Sequence, residues 1–257
     1  MVPDHRSGGR SAVSGLRLLY HLYHILWLGI DLLLPPTCGG CGTPGYRWCP
    51  RCQQRVPILP TPLCELCGTP VSSARSRCAD CTTVPPCFTE LRSWSAFADP
   101  IRPALHRLKY RRDLGLGEAL VPQLTAYVNQ LRWAVDVLVP VPLGNSHLKQ
   151  RGYNQAGLIG WPLSFALGIA YAPHALIRAR ETRSQVGLSR AERHVNVRDA
   201  FQGRLGLVKG RSVLLVDDVA TTGATLSSCA EALFAAGARD DFALTVARAY
   251  RGLAFGA

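Results

Sequence analysis

Two adjacent carboxylates, Asp217 and Asp218, close the apolar run "VLLVDDV", and the turn "ATTGAT" follows at once. Like charges side by side at the mouth of a buried strand repel, so their position needs a chemical reason. Carboxylates are good acceptors for sugar hydroxyls. Behind them Val219 and Ala220 lead into Thr221, Thr222, Gly223, Ala224 and Thr225, a turn rich in hydroxyls whose glycine lets the backbone approach a ligand closely. Amides at the start of a following helix would complete a cradle for an anion. Acids followed by such a cradle describe a site for a ribose 5-phosphate. Acids that merely cap the helix are the plainer alternative.

A second constellation is built from sulfur. Eight of the ten cysteines form four C-x-x-C pairs: Cys38 and Cys41, Cys49 and Cys52, Cys64 and Cys67, Cys78 and Cys81. Two thiols three positions apart in a tight turn aim at one metal, and two such knuckles supply the four-thiolate tetrahedron that zinc accepts. Eight thiolates suit two structural Zn²⁺ ions. The spacing fits sequential pairing and an interleaved arrangement alike. A full sulfur shell leaves no position for a reacting water, which disfavours zinc catalysis. Few large apolar residues separate the knuckles, so the metal must supply much of the folding energy there. Disulfide frameworks belong to small secreted domains, whereas most of this chain is poor in cysteine. The reading is therefore metal binding in a reducing, cytoplasmic setting. Cys87 and Cys229 are left over and read as small buried apolar residues.

The elements that must position these groups follow from the apolar patterning. "DVLVPVPL" (136–143) is a short strand stopped by Pro140 and Pro142. The segment 154–169 reads as a helix that Pro162 interrupts or kinks. Strand, helix and strand follow over 212–219, 225–238 and 241–250, the helix ending near Gly237. This alternation predicts an α/β domain with a mostly parallel sheet. Ligands of such sheets sit at the carboxyl ends of strands, where Asp217 and Asp218 fall. "KQRGYNQ" sets Lys149 and Arg151 just before a helix, where two cations suit a pyrophosphate; a solvated pair is the alternative.

The expected division is a tail and amphipathic helix over 1–34, a double zinc ribbon over 35–90 and the α/β domain over 91–257. In the helix, Arg17, His21, His24 and Asp31 share one face, and Leu18, Leu22, Ile25, Gly29 and Leu32 another. Charges interrupt the run, so it does not read as a spanning helix, and no small-residue cleavage site marks it as a signal peptide. It reads as a helix docking on the protein or on a partner, with membrane-surface contact through 16–34 as the less favoured alternative. The whole chain carries 29 basic against 17 acidic residues, 26 of the basic ones arginine, for a formal charge of +12. The arginine fork grips phosphate or carboxylate, so an anionic partner is expected. Charge alone does not separate nucleic acid from a phosphorylated small molecule.

"VLLVDDVATTGAT" closely resembles the phosphoribosyl-diphosphate (PRPP) motif of type I phosphoribosyltransferases. With "LLLPPTCGGC", "LHRLKYRRD", "VPVPL", "KQRGYNQA" and "RARETRSQVGLSRAERHVNVRDAF", the chain resembles the ComF family of competence-associated proteins across nearly its whole length. The resemblance implies a double zinc ribbon followed by a type I phosphoribosyltransferase-like parallel sheet. It places Asp217 and Asp218 on the ribose hydroxyls of PRPP, where their charge would favour an oxocarbenium-like sugar. It puts residues 221–225 on the 5-phosphate, Leu143 and Gly144 beside the pyrophosphate, and Mg²⁺ between pyrophosphate and ribose oxygens. The stretch carrying Arg178, Arg180, Arg183, Arg190 and Arg193 takes the place of the lid that closes over substrate; a solvent-exposed charged helix is the alternative.

The same resemblance implies a role in DNA uptake and processing, with single-stranded DNA and a competence helicase or another DNA-processing protein as partners. Tyr46, Trp48 and Trp94 suit base stacking or packing, and packing is the favoured reading. One departure bears on turnover. Thr221 stands where enzymes acting on 6-oxopurines carry an acid, so no base for an acceptor is visible. Two functions stay open: a phosphoribosyltransferase with an unidentified acceptor, and a non-catalytic single-stranded-DNA factor whose PRPP site is regulatory or vestigial.

Overall fold

The computed structural model describes residues 8–74, 76–179 and 200–250. Its centre is a sheet of β1 (Glu90–Ala96), β2 (Val137–Pro140), β3 (Ala170–Tyr171), β6 (Ser212–Ala220) and β7 (Asp240–Arg248), in spatial order β1-β7-β6-β2-β3. Every pairing in it is parallel. A short antiparallel pair, β4 (Leu176–Arg178) and β5 (Phe201–Gly203), is separate. The sheet is apolar on both sides: Val213 and Leu215 enter one buried cluster, Leu214 and Val216 the other. That two-sided burial is why the strand reads as a continuous apolar run rather than an alternating one.

The helices run from α1 (Gly8–Leu33), α2 (Pro50–Gln54) and α3 (Ala79–Thr83) to α4 (Ile101–Tyr110), α5 (Gly115–Ala119) and α6 (Val121–Leu131). Then come α7 (Asn145–Arg151), α8 (Gln155–Leu167), α9 (Leu205–Val208) and α10 (Ala224–Ala235). Leucines and isoleucines of α4, α5, α6 and α8 cover one face of the sheet, and Leu226, Cys229 and Leu233 of α10 cover the other. Helix α8 runs unbroken through the buried Pro162. Burial of Ile159 and Leu163 against the sheet outweighs the backbone bond that the proline removes.

One expectation is adjusted and another is made specific. Cys229 is buried, but Cys87 is exposed, because it follows Pro85 and Pro86 in the segment approaching β1. Helix α1 docks on the protein, yet by its aromatic and polar face. Tyr23 packs edge-on against Trp161 of α8 at 4.8 Å between ring centroids, and His24 Nδ1 lies 2.6 Å from the buried Glu118 Oε1. Asp31 pairs with Arg47, whose guanidinium also covers the Trp27 ring at 4.4 Å. The leucine face looks outward.

Asp241, on β7, is fully buried, and neither carboxylate oxygen has a hydrogen-bond partner among the described residues. Burial pushes its carboxyl well above the usual range. A raised folded-state value means that this group's contribution to stability is complete at low pH and is lost as pH rises from the unfolded value, about 3.9, towards the folded one. Asp241→Asn is accordingly expected to raise the Tm at pH 7 by several degrees, an advantage that vanishes below about pH 4. Thermal melts across pH check this; a variant less stable than wild type at pH 7 contradicts it.

Candidate functional site

A cavity of ≈ 560 Å³ opens at the carboxyl end of β6 and the start of α10. Asp217, Asp218, Thr221 and Thr225 line it, with Leu143 on the loop after β2 and Arg178 at the end of β4. The chain turns into α10 at Gly223, whose φ of +80° is left-handed and strains any residue with a side chain. Thr222 Oγ1 accepts from the Ala224 amide at 3.3 Å, and Ala220 O from the Ala249 amide at 2.8 Å. Among the described residues, no protein group takes the amides of Thr221, Thr222 or Gly223. These three donors therefore stay available beside the cavity, as an anion cradle requires.

The two acids differ. Asp217 is half-buried and its Oδ1 accepts from the Asp218 amide at 2.8 Å. Burial, then the neighbouring Asp218 carboxylate, pushes the Asp217 carboxyl well above the usual range. Asp218 is buried and its Oδ2 lies 2.5 Å from Lys109 Nζ, a residue of α4 that also lines the cavity. Burial works against the charge of Lys109, but Asp218 and then Asp217 outweigh it and hold its pKa above the ordinary value. One acid is thus salt-linked while the bend's amides are not engaged by described protein groups. Sequence alone does not mark Lys109: "LHRLKYRRD" carries a family resemblance, but nothing local ties position 109 to position 218.

Removing the cation leaves a buried carboxylate without a partner. Lys109→Met is expected to lower stability by about 3–5 kcal/mol, read as a Tm lower by roughly 10 °C. Lys109→Arg is expected to recover part of it. A melt of Lys109→Met that matches wild type would mean the pair contributes nothing.

The other expected site residues fall unevenly. Val219, Ala220, Gly223 and Ala224 line the cavity with the acids; Thr222 is not on its wall. Gly144 is the N-cap of α7, next to Leu143. Lys149 and Arg151 lie in the last turn of α7 and off the cavity wall: Lys149 is exposed, and Arg151 Nη1 donates to Gln155 Oε1, which does line the cavity. Of the lid arginines, Arg178 stands 5.4 Å from the Phe201 ring centroid. Arg180, Arg183, Arg190 and Arg193 lie outside the described residues. Trp94 is buried, and Trp48 donates its indole N–H to Gln53 beside the first cysteine cluster, so both pack; only Tyr46 of that trio is exposed.

The cysteines assemble sequentially. Cys38, Cys41, Cys49 and Cys52 form one group and Cys64, Cys67, Cys78 and Cys81 the other, with all sulfurs of each group within 4.8 Å of one another. The first knuckles of the two groups share one local design. In "CGGCGTP" and "CELCGTP" a left-handed glycine, Gly42 or Gly68, follows the second cysteine and donates to the carbonyl of the first. Backbone amides of Cys49, Cys52 and Cys78 point at Sγ atoms at 3.3–3.4 Å, where they would stabilise thiolate charge. Donor set, count and spacing fit two structural zinc ions.

Neither ribbon hangs loose. Arg107 of α4 donates to Cys38 O at 2.9 Å. Cys64, Cys67 and Cys81 belong to the same buried cluster as the sheet, the Leu91 amide of β1 donates to Leu66 O, and buried Arg248 of β7 donates to Cys67 O at 2.7 Å. Burial lowers the Arg248 pKa, and the neighbouring thiols oppose that, Cys67 first.

A double zinc ribbon family model matches residues 29–82. DNA utilization protein YhgH of Escherichia coli K12 is 35% identical over 166 residues, which cover 63% of this chain and 73% of that protein. Competence protein F of Haemophilus influenzae is 29% identical, covering 72% of this chain and 83% of its own. Competence protein ComFC of Bacillus subtilis is 29% identical, covering 57% and 58%. Among solved structures, a glutamine PRPP amidotransferase from B. subtilis overlaps 62% of this chain and 30% of its own, at 23% identity and a TM-score of 0.34. An adenine phosphoribosyltransferase overlaps 52% and 72%, at 17% identity and a TM-score of 0.36. Overlaps this loose carry no functional weight.

Proposed function

Because the chain belongs to the ComF family of competence-associated proteins, we propose that its α/β half binds PRPP with Mg²⁺ in the cavity formed around residues 217–225. The supporting observation is that two acids at a strand end share one cavity with Thr221 and Gly223 of the following bend, whose amides no described protein group takes. In this reading Asp217 and Asp218 accept the ribose 2- and 3-hydroxyls and the bend holds the 5-phosphate. Leu143 and Gly144 lie beside the pyrophosphate, and bound Mg²⁺ would neutralise pyrophosphate charge. Lys109 stays paired with Asp218 until the sugar arrives, and lining residues from β4 and the β2 loop narrow the access of water. The acceptor of any phosphoribosyl transfer is left unassigned, since no base stands at Thr221. The expected result in a thermal-shift assay is a Tm rise with PRPP and Mg²⁺ together that Mg²⁺ alone does not give. No rise with PRPP counts against the reading.

A second reading, handling of single-stranded DNA, is favoured by one surface feature. Tyr110, 65% exposed at the end of α4, carries the Arg151 guanidinium over its ring at 5.3 Å and the His106 ring at 4.7 Å, and the exposed Arg111 and Arg112 follow it. An exposed aromatic ring amid cations suits base stacking and phosphate contact. The names of relatives, a DNA utilization protein and competence proteins, point the same way. This reading supposes salt-dependent binding of oligonucleotides that Tyr110→Ala weakens about tenfold.

A further inference from the structure

The outward face of α1 has no partner among the described residues and is far larger than the isolated surface leucines of ordinary proteins. Leu18, Leu22, Ile25, Leu26, Leu32 and Leu33 are each between 54% and 83% exposed. Leu19 and Leu28 widen the stripe to about half the helix circumference at about 3.6 residues per turn. A contiguous apolar patch of this kind marks an interaction site. Gly29 on the same face opens onto empty space, with nothing within 4 Å of where a Cβ would stand.

Three observations choose the occupant. First, the stripe is too wide for a coiled-coil seam, which uses a narrow a/d strip. Second, no acid looks out from this face: Asp31, the one charged residue between Leu18 and Leu34, is turned inward to Arg47. Third, the charge around it is basic. Exposed Arg111 borders the pocket at the C-terminal end of α1 beside Leu34, and the chain as a whole carries +12. A second copy would bring the same positive charge, whereas an anionic lipid surface is complementary. At the same time no described helix is long and apolar enough to cross a membrane.

We propose that α1 is a membrane-surface element: its leucine face lies in the headgroup–acyl boundary of an anionic bilayer while Tyr23, His24, Trp27 and Asp31 fasten it to the folded body. Trp161, packed on Tyr23 and 40% exposed, is the aromatic expected near such a boundary. The inference does not depend on the PRPP reading, since none of these residues lines that cavity.

The test is vesicle flotation of the full zinc-loaded chain with phosphatidylglycerol–phosphatidylcholine vesicles and with pure phosphatidylcholine vesicles. The comparison variant is Leu22→Gln/Ile25→Gln/Leu26→Gln, which leaves the charge unchanged and alters only exposed side chains. The expected result is binding to the anionic vesicles and at least a tenfold loss of partitioning in the variant, with the melting curve preserved. Failure of wild type to float overturns the inference. So does equal flotation of the variant, which would reduce binding to bulk charge. Light scattering is run in parallel: a lipid-free dimer that the variant dissolves would assign the face to a second copy and overturn it too.

Discussion

Stripping zinc from the second cysteine cluster is expected to unfold part of the sheet as well as the ribbon. Cys64, Cys67 and Cys81 are buried in the same cluster as Phe88, Leu91 and the α10 leucines, and Arg248 is buried against Cys67 O. A zinc ion with four thiolates carries a net negative charge, the natural counter-charge for that guanidinium. Without it the guanidinium keeps only the charge of Cys67, whose thiol a hydrogen bond with Cys81 and the Arg248 charge hold down to about 4, and the four-thiolate shell that balances it comes apart. Cys67→Ser should therefore lose one of two zinc ions per chain. Even a third of the about 10–16 kcal/mol typical of structural zinc would lower the Tm by roughly 10 °C. Metal analysis and melts of wild type, Cys67→Ser and chelated protein check this. A zinc-free chain that melts at the wild-type temperature contradicts it.

The second large effect is on ligand affinity. If each acid gives PRPP a charged hydrogen bond of about 1.5–3 kcal/mol, Asp217→Asn/Asp218→Asn should weaken PRPP binding by roughly 10²–10⁴-fold. The single variants separate binding from folding. Asp218→Asn removes the carboxylate paired with Lys109 and should lower the Tm. Asp217→Asn should not, because the amide oxygen can still accept from the Asp218 amide. A folded Asp217→Asn that binds PRPP as wild type does would remove the proposed sugar contact. DNA binding at Tyr110 should survive the double substitution, since that ring lies outside the lining of the cavity.

Where these features could be read in advance follows from how local their signals are. The strand, turn and helix from 212 to 235 are encoded contiguously: an apolar run, two acids, a glycine that the left-handed bend demands, then a helix. The C-x-x-C knuckles are equally local, and metal geometry does the rest. Their sequential pairing was not legible, because spacing allows both arrangements; the repeated turn at Gly42 and Gly68 and the packing of each ribbon on a different part of the α/β body decide it. Lys109 and Asp218 meet only through the tertiary fold. Periodicity gave α1 two faces but not which one the protein would cover. Tyr23, His24 and Trp27 find Trp161, Glu118 and Arg47, so the helix turns its leucines away. Pro162 shows packing overriding a local breaker.

A crystal structure of the zinc-loaded chain soaked with PRPP and Mg²⁺ tests the central proposition most directly. The predicted result is a pentose whose two ring hydroxyls meet the strand-end acids, its terminal phosphate seated on the amides of 221–223, and the ammonium of Lys109 displaced from Asp218. Crystals in which the cavity stays empty at saturating ligand, or in which PRPP settles elsewhere while that ion pair persists, would contradict it.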